Sequence, residues 1–215
     1  MEQITEYFLF IGSGIFLTLK LLVGGMCTGF ILGVGLAILR YQNSAKGIIN
    51  QFISIIRGTP VILQLSFIYF SLPGLTGIRP DILTAGIITF GLNSSAYIAE
   101  ILRSGIEQLP KGQFEAAATL QISSFYLWKD IILPQVIKNI LPALINETIA
   151  LAKETALIST IGGMDLMRKA QATASEHFTY FLPLCITGCY YYALVLFIEY
   201  LGKHIAKGDA HVNCN

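Results

Sequence analysis

Long uncharged runs dominate the hydrophobic and polar pattern of this chain. No Asp, Glu, Lys or Arg occurs over 21–39, between Lys20 and Arg40; over 58–78, between Arg57 and Arg79; over 82–99, between Asp81 and Glu100; or over 178–198, between His177 and Glu199. A helix that crosses a bilayer needs about 20 mainly apolar residues, because the hydrocarbon core is ~30 Å thick and each residue rises about 1.5 Å. Each run therefore predicts a membrane span. A fifth stretch, 139–163, is long enough to span but carries Glu147, Lys153 and Glu154. The expected spans are 12–39, 55–73, 82–102, 139–162 and 178–201, in one domain over 1–207, followed by a polar tail over 208–215. The start carries Glu2 and Glu6 and lacks the basic segment of a signal peptide, so the first apolar run reads as a mature span.

Composition sharpens this picture. The 215 residues are 54% hydrophobic and 13% charged, with a mean hydropathy of +0.65, whereas soluble domains carry about a quarter charged residues. This excludes a soluble enzyme domain, a disordered tail and a disulfide-stapled scaffold. A net charge of +1 without a basic block argues against a nucleic-acid partner. The fold class is an all-α integral membrane protein of about five spans, with lipid around it. With the N-terminus outside and the C-terminus cytoplasmic, the inner segments hold Arg40, Lys46, Arg57, Arg103, Lys111, Lys129, Lys138, Lys203 and Lys207. The outer ones then hold Arg79, Arg168 and Lys169. The positive-inside rule selects this orientation.

One inner loop, 103–138, is too polar to span and too short to be a domain. Within it 112–122 is rich in helix formers, Pro110 precedes it and Pro134 closes the loop. A short helix parallel to the membrane is expected, with Phe114, Ala117, Ala118 and Leu120 apolar and Glu115 charged. Such a helix can lie on lipid, fill the protein's own surface or dock into a groove of a soluble partner.

The string Glu115-Ala116-Ala117, followed at the proper spacing by Ile131-x-Leu133-Pro134, resembles the EAA loop of bacterial ABC-importer permeases; the glycine of that pattern is here Gln121. Arg57-Gly58-Thr59-Pro60 with Gln64, the run Asn93 to Arg103, and Lys153-Glu154-Thr155-Ala156-Leu157 are similar to segments of polar amino-acid permeases, with Glu154 and Ala156 in place of Asp and Ser. The resemblance implies a type I importer permease in a bacterial inner membrane. It implies a second permease chain, most simply an identical one and otherwise a paralogue, two cytoplasmic ABC ATPase subunits and an external solute-binding protein. The 112–122 segment would be the coupling helix, with Gly112, Glu115, Ala116, Ala117 and Gln121 facing the ATPase. ATP and Mg would sit on that partner. This chain has no GxxxxGK[ST] loop, so no cofactor is expected on it and it is not itself an enzyme.

Charges inside a span face a bundle interior or a water-filled path. Glu147 and Glu154, seven residues apart, project from nearly one helix face about 10.5 Å apart along the axis. A carboxylate at Glu154 suits a cationic group of a substrate, favouring arginine, lysine or histidine; the alternative is a neutral polar amino acid such as glutamine. The expected pocket is Glu154, Asn93, Ser71 and Tyr69, with Thr155 and Tyr97 nearby. Helix–helix hydrogen bonding is an equal account of each hydroxyl. Glu100 and Arg103 read as a local ion pair, and Arg57 as a headgroup anchor or a gate. Gly25, Gly29 and Gly33 read as a packing stripe. Cys27, Cys185 and Cys189 read as small core residues rather than metal ligands, and the histidines form no cluster. A stand-alone carrier or channel is less favoured because no second matching half is present. An intramembrane enzyme lacks a catalytic constellation.

Overall fold

The structure, a computed structural model, describes residues 2–42 and 45–211, with backbone alone for Glu2 and 206–211. The described residues are helical throughout, without strands. α1 (Glu2–Gly12) turns at Ser13–Gly14 into α2 (Ile15–Tyr41). α3 (Lys46–Gly58) bends into α4 (Val61–Ser66), which continues through a π-helical turn, Phe67–Ser71, into α5 (Leu72–Thr76). α6 spans Ile82–Glu107, α7 Lys111–Thr119 and α8 Ser124–Tyr126. A π-helical stretch, Leu127–Ile132, leads into α9 (Leu133–Glu154), which tightens to 3₁₀ over Thr155–Ile161. α10 (Leu166–Glu176) and α11 (Phe181–His211) complete the chain.

Three helical segments are long and apolar enough to cross a membrane: Gln3–Tyr41, Ile82–Glu107 and Phe181–Ile205. The pair Lys46–Gly58 and Val61–Thr76, bent by 102°, is long and apolar enough only when the two are taken together. The expected 55–73 span thus straddles a bend. Pro60 disfavours the helical conformation at the residue before it, and Thr59 is extended at φ −115°, ψ 141°. Gln64 holds the corner, its Nε2 donating to Ile56 O at 2.8 Å, Thr59 O at 3.2 Å and Thr59 Oγ1 at 2.9 Å. Gln64 is therefore a fixture of the bend. α9 is as long as a span but carries Lys138, Glu147, Lys153 and Glu154, so apolarity alone does not single it out. α11 continues to His211, into the segment expected as a tail; 212–215, including Cys214, lie outside the described residues.

The core forms where α2, α6 and α9 meet. α2 and α6 run side by side in the same direction, and the glycine stripe explains how closely. A Cβ placed on Gly25 would lie 3.0 Å from Phe90 Cβ; on Gly29, 2.7 Å from Ser94 Cβ; on Gly33, 2.8 Å from Ile98 Cβ. Only hydrogen side chains permit this approach. α9 packs antiparallel to α6, with Gly105 against Ile140 at one end and Gly86 against Ile158 at the other. Leu21, Leu65, Phe90, Leu151 and Ile158 fill the centre. Cys27, Cys185 and Cys189 are exposed thiols on α2 and α11, which corrects their expected place in the core.

At the end of the bundle where α2 begins, α10 packs on α1 and α11. Asp165 caps α10, accepting from the Arg168 backbone N–H at 2.9 Å, and the Tyr191 hydroxyl donates to its other oxygen at 3.2 Å. Burial pushes the Asp165 carboxyl above the usual aspartate range, against the opposing pull of the Arg168 and Met167 N–H groups and the Tyr191 hydroxyl.

Candidate functional site

Two carboxylates of α9 meet two polar side chains of α6 within the membrane-spanning part of the bundle. Asn93 Nδ2 donates to Glu154 Oε2 at 3.2 Å, and Ser94 Oγ donates to Glu147 Oε1 at 2.7 Å. Asn93 and Ser94 are buried, while Glu147 and Glu154 are half-buried. Among the described residues no basic side chain lies within ion-pair distance of either carboxylate. The adjacent Lys153 is exposed. Each carboxylate is thus oriented by a neutral donor and left short of a counter-charge. In a low-dielectric setting that arrangement attracts a cation.

Of the six residues expected in the pocket, Asn93 and Glu154 are brought into contact with each other. Tyr69 packs against the central core and edge-to-face with Phe70 at 5.0 Å. Ser71 is exposed at the end of the π-helical turn. Tyr97 lies one turn along α6 from Asn93 with the Arg57 guanidinium 5.1 Å over its ring. Thr155 is fully buried, and its hydroxyl donates to Ala152 O at 2.7 Å. It is the first residue of the 3₁₀ turn and points away from its neighbour Glu154, since successive helical side chains diverge by about 100°. Ser94 was not singled out in the sequence.

Towards the C-terminal end of α6, Glu100 forms a second electrostatic centre. Its Oε2 receives Arg40 at 3.2 Å and Arg103 at 2.5 Å, and its Oε1 faces Arg57 at 3.6 Å. Arg103 also pairs with Glu107. The expected local pair of Glu100 and Arg103 exists as one arm of a hub that ties α2, α3 and α6 together. Arg57 belongs to this hub, which supersedes headgroup anchoring as its structural account.

At the same end, α7 stands out from the bundle. Gly112, Glu115 and Ala116 are exposed, and Ala117 is buried. Reciprocal side-chain amide bonds at 3.0 Å join Gln113 to Gln135 of α9. Gln121 adopts φ +56°, with its N–H bonded to Ala118 O at 3.1 Å and that of Ile122 to Ala117 O at 3.0 Å. This is the helix-terminating Schellman pair, whose left-handed position normally takes glycine. Gln121 thus occupies the conformation that the glycine of the EAA pattern would occupy.

Comparison with known proteins agrees with this architecture. Residues 29–208 match the family described as binding-protein-dependent transport system inner membrane component. The putative glutamine transport system permease protein GlnP of Rickettsia felis is 47% identical, over 93% of this chain and 92% of its own. The arginine transport system permease protein ArtQ of Bacillus subtilis is 40% identical, over 92% and 91%. A crystal structure of an amino acid ABC transporter with histidines superimposes with a TM-score of 0.87 at 36% identity, over 95% of this chain and 96% of that one. The inward-facing MetNI methionine ABC transporter, 18% identical with a TM-score of 0.77, shares the fold.

Proposed function

Since the chain belongs to the family of binding-protein-dependent transport system inner membrane components, we propose that it lines the path of an amino-acid importer and selects its substrate with Glu154. The observation that carries this reading is a half-buried intramembrane carboxylate held by Asn93 and without a basic partner. The α-ammonium or side-chain cation of an amino acid supplies the missing charge. Asn93 offers both a donor and an acceptor to a zwitterion. Tyr69, Ser71, Tyr97 and Thr155 then contribute to the walls and the backbone around the pocket rather than its charge.

A basic amino acid places its side-chain cation on Glu154. Glutamine is the second reading, favoured by the 47% identical relative, a putative glutamine transport system permease; there the α-ammonium alone meets Glu154. The chain works with an identical second copy, two cytoplasmic ATPase subunits carrying ATP and Mg, and an external solute-binding protein. Its N-terminus faces outward and its C-terminus the cytoplasm of a bacterial inner membrane. The exposed face of α7, with Gly112, Glu115 and Ala116, docks into the ATPase, and the Gln113–Gln135 bonds pass its movement to α9, which carries Glu154.

Calorimetric titration of arginine, lysine, histidine, glutamine and glutamate into the purified permease–ATPase complex tests the pocket. We expect Glu154→Gln to weaken binding of the preferred ligand by at least about tenfold, the loss of one charge-assisted contact. Unchanged affinity removes Glu154 from the pocket. Glu115→Lys is expected to abolish substrate-stimulated ATP hydrolysis with the complex still assembled; wild-type stimulation refutes the docking role.

A further inference from the structure

A cavity of about 290 Å³ opens between α6 and α9 beyond the Asn93–Glu154 pair, near the C-terminal end of α6. Its walls include Arg57, Tyr97, Glu100, Ser104, Gln108 and Asn139. It sits near the lower end of the size range for small-molecule sites, about 300–1,000 Å³. The charges of the ion-pair hub that borders it are unevenly matched. Arg40, Arg57 and Arg103 face Glu100 and Glu107, which leaves one guanidinium in surplus.

That surplus is Arg57. It is the most distant of the three from Glu100, at 3.6 Å, and the most exposed, with 43% of its side chain accessible against 16% for Arg40 and 39% for Arg103. It has Glu100 Oε1 to itself, while Arg40 and Arg103 both hold Oε2. Stacking over Tyr97 at 5.1 Å keeps the guanidinium on the cavity wall independently of Glu100. Its loosest bond can therefore be exchanged without dismantling the hub.

We propose that this cavity is a second site for the transported amino acid, one step beyond Glu154 on the cytoplasmic side, in which the zwitterion inserts between Arg57 and Glu100. The α-carboxylate takes the Arg57 guanidinium, a planar match for two oxygens. The α-ammonium takes the Glu100 Oε1 that Arg57 releases. Insertion adds no net charge to the hub, because one ion pair is replaced by two across a neutral ligand. Ser104, Gln108 and Asn139 offer uncharged hydrogen-bonding groups to the substrate side chain. The site recognises the part common to all amino acids, whereas Glu154 reads a cation alone. This assignment rests on the reading of the chain as an amino-acid permease.

The test is equilibrium binding of radiolabelled glutamine and arginine to the permease–ATPase complex in nanodiscs, without the external binding protein. Wild type is expected to show two classes of sites per permease chain for the ligand it binds. Arg57→Gln should weaken one class by about tenfold or more and spare the other, as loss of a charge-assisted contact requires. Gln108→Leu, on a residue outside the ion-pair hub, should weaken the same class by a few-fold. Glu154→Gln should affect only the opposite class. The amino-acid methyl ester, which lacks the carboxylate, should fail to compete at the Arg57-dependent class. A single class that Arg57→Gln leaves unchanged, an isotherm of any form unchanged by Arg57→Gln, or full competition by the methyl ester overturns the second site. Insensitivity to Glu154→Gln alongside loss in Arg57→Gln instead overturns the Glu154 pocket and leaves the second site standing.

Discussion

Glu100 on α6 and Glu154 on α9 are the same residue type on two packed helices, and they are served in opposite ways. Glu100 is surrounded by three guanidinium groups from three helices, with 19% of its side chain accessible. Glu154 has one neutral amide and, among the described residues, no basic group within ion-pair distance. The first arrangement is complete without a ligand and ties helices together. The second is incomplete without one and adds little to cohesion. A buried carboxylate with every partner in place is costly to remove, because its partners are left as unpaired charges; an underpaired one costs the fold something to keep.

The largest effect should come from breaking the complete centre. Glu100→Gln leaves three arginines around a neutral amide, and we expect a loss of about 2–4 kcal/mol, read as a fall in the melting temperature of the detergent-solubilised protein. A melt within error of wild type would mean that the arginines are solvated and the hub is ornamental. Gly29→Ala comes next. Its methyl would meet Ser94 Cβ at 2.7 Å, and forcing α2 from α6 should cost about 1–3 kcal/mol. The same displacement should loosen Ser94 from Glu147, so this variant is expected to lose transport out of proportion to its stability. Glu154→Gln sharpens the contrast by its sign. Removing an underpaired charge should leave stability unchanged or raise it by up to about 1 kcal/mol, while ligand binding falls. Destabilisation like that of Glu100→Gln would show that Glu154 is a structural residue. The smallest effect is at Gln121, on α7. Gln121→Gly relieves a left-handed backbone at φ +56° and should stabilise by about 0.5–1 kcal/mol; a decrease would show that the Gln121 side chain makes up for its backbone.

The same contrast explains what the sequence revealed. The uncharged runs lead directly to α2, α6 and α11, because apolarity is what a bilayer demands of a helix. The Glu154 site was half legible, since an intramembrane carboxylate stands out by its type and Asn93 by its register on α6. The hub was not. Arg103 lies three residues from Glu100 and can be paired on paper, but Arg40 and Arg57 reach it only through the packing of α2 and α3. The corner at Thr59–Pro60 was marked by its proline, yet nothing local fixes a bend of 102° until Gln64 is seen to bind both sides of it. Thr155 is buried and turned from its neighbour Glu154, because adjacent positions diverge on a helix. α10 was read as loop because its length and polarity carry no membrane signal.

The glycine stripe of α2 has a mechanical consequence. With the α6 side chains of Phe90, Ser94 and Ile98 seated directly on the α2 backbone at Gly25, Gly29 and Gly33, α2 and α6 have little slack to slide. They behave as one stiff beam about twice the girth of a helix. α6 carries both Asn93 and Glu100 on this beam, so the spacing between these two residues stays constant. What can change is the distance from the beam to α9, bridged at the candidate site by single hydrogen bonds from Asn93 and Ser94.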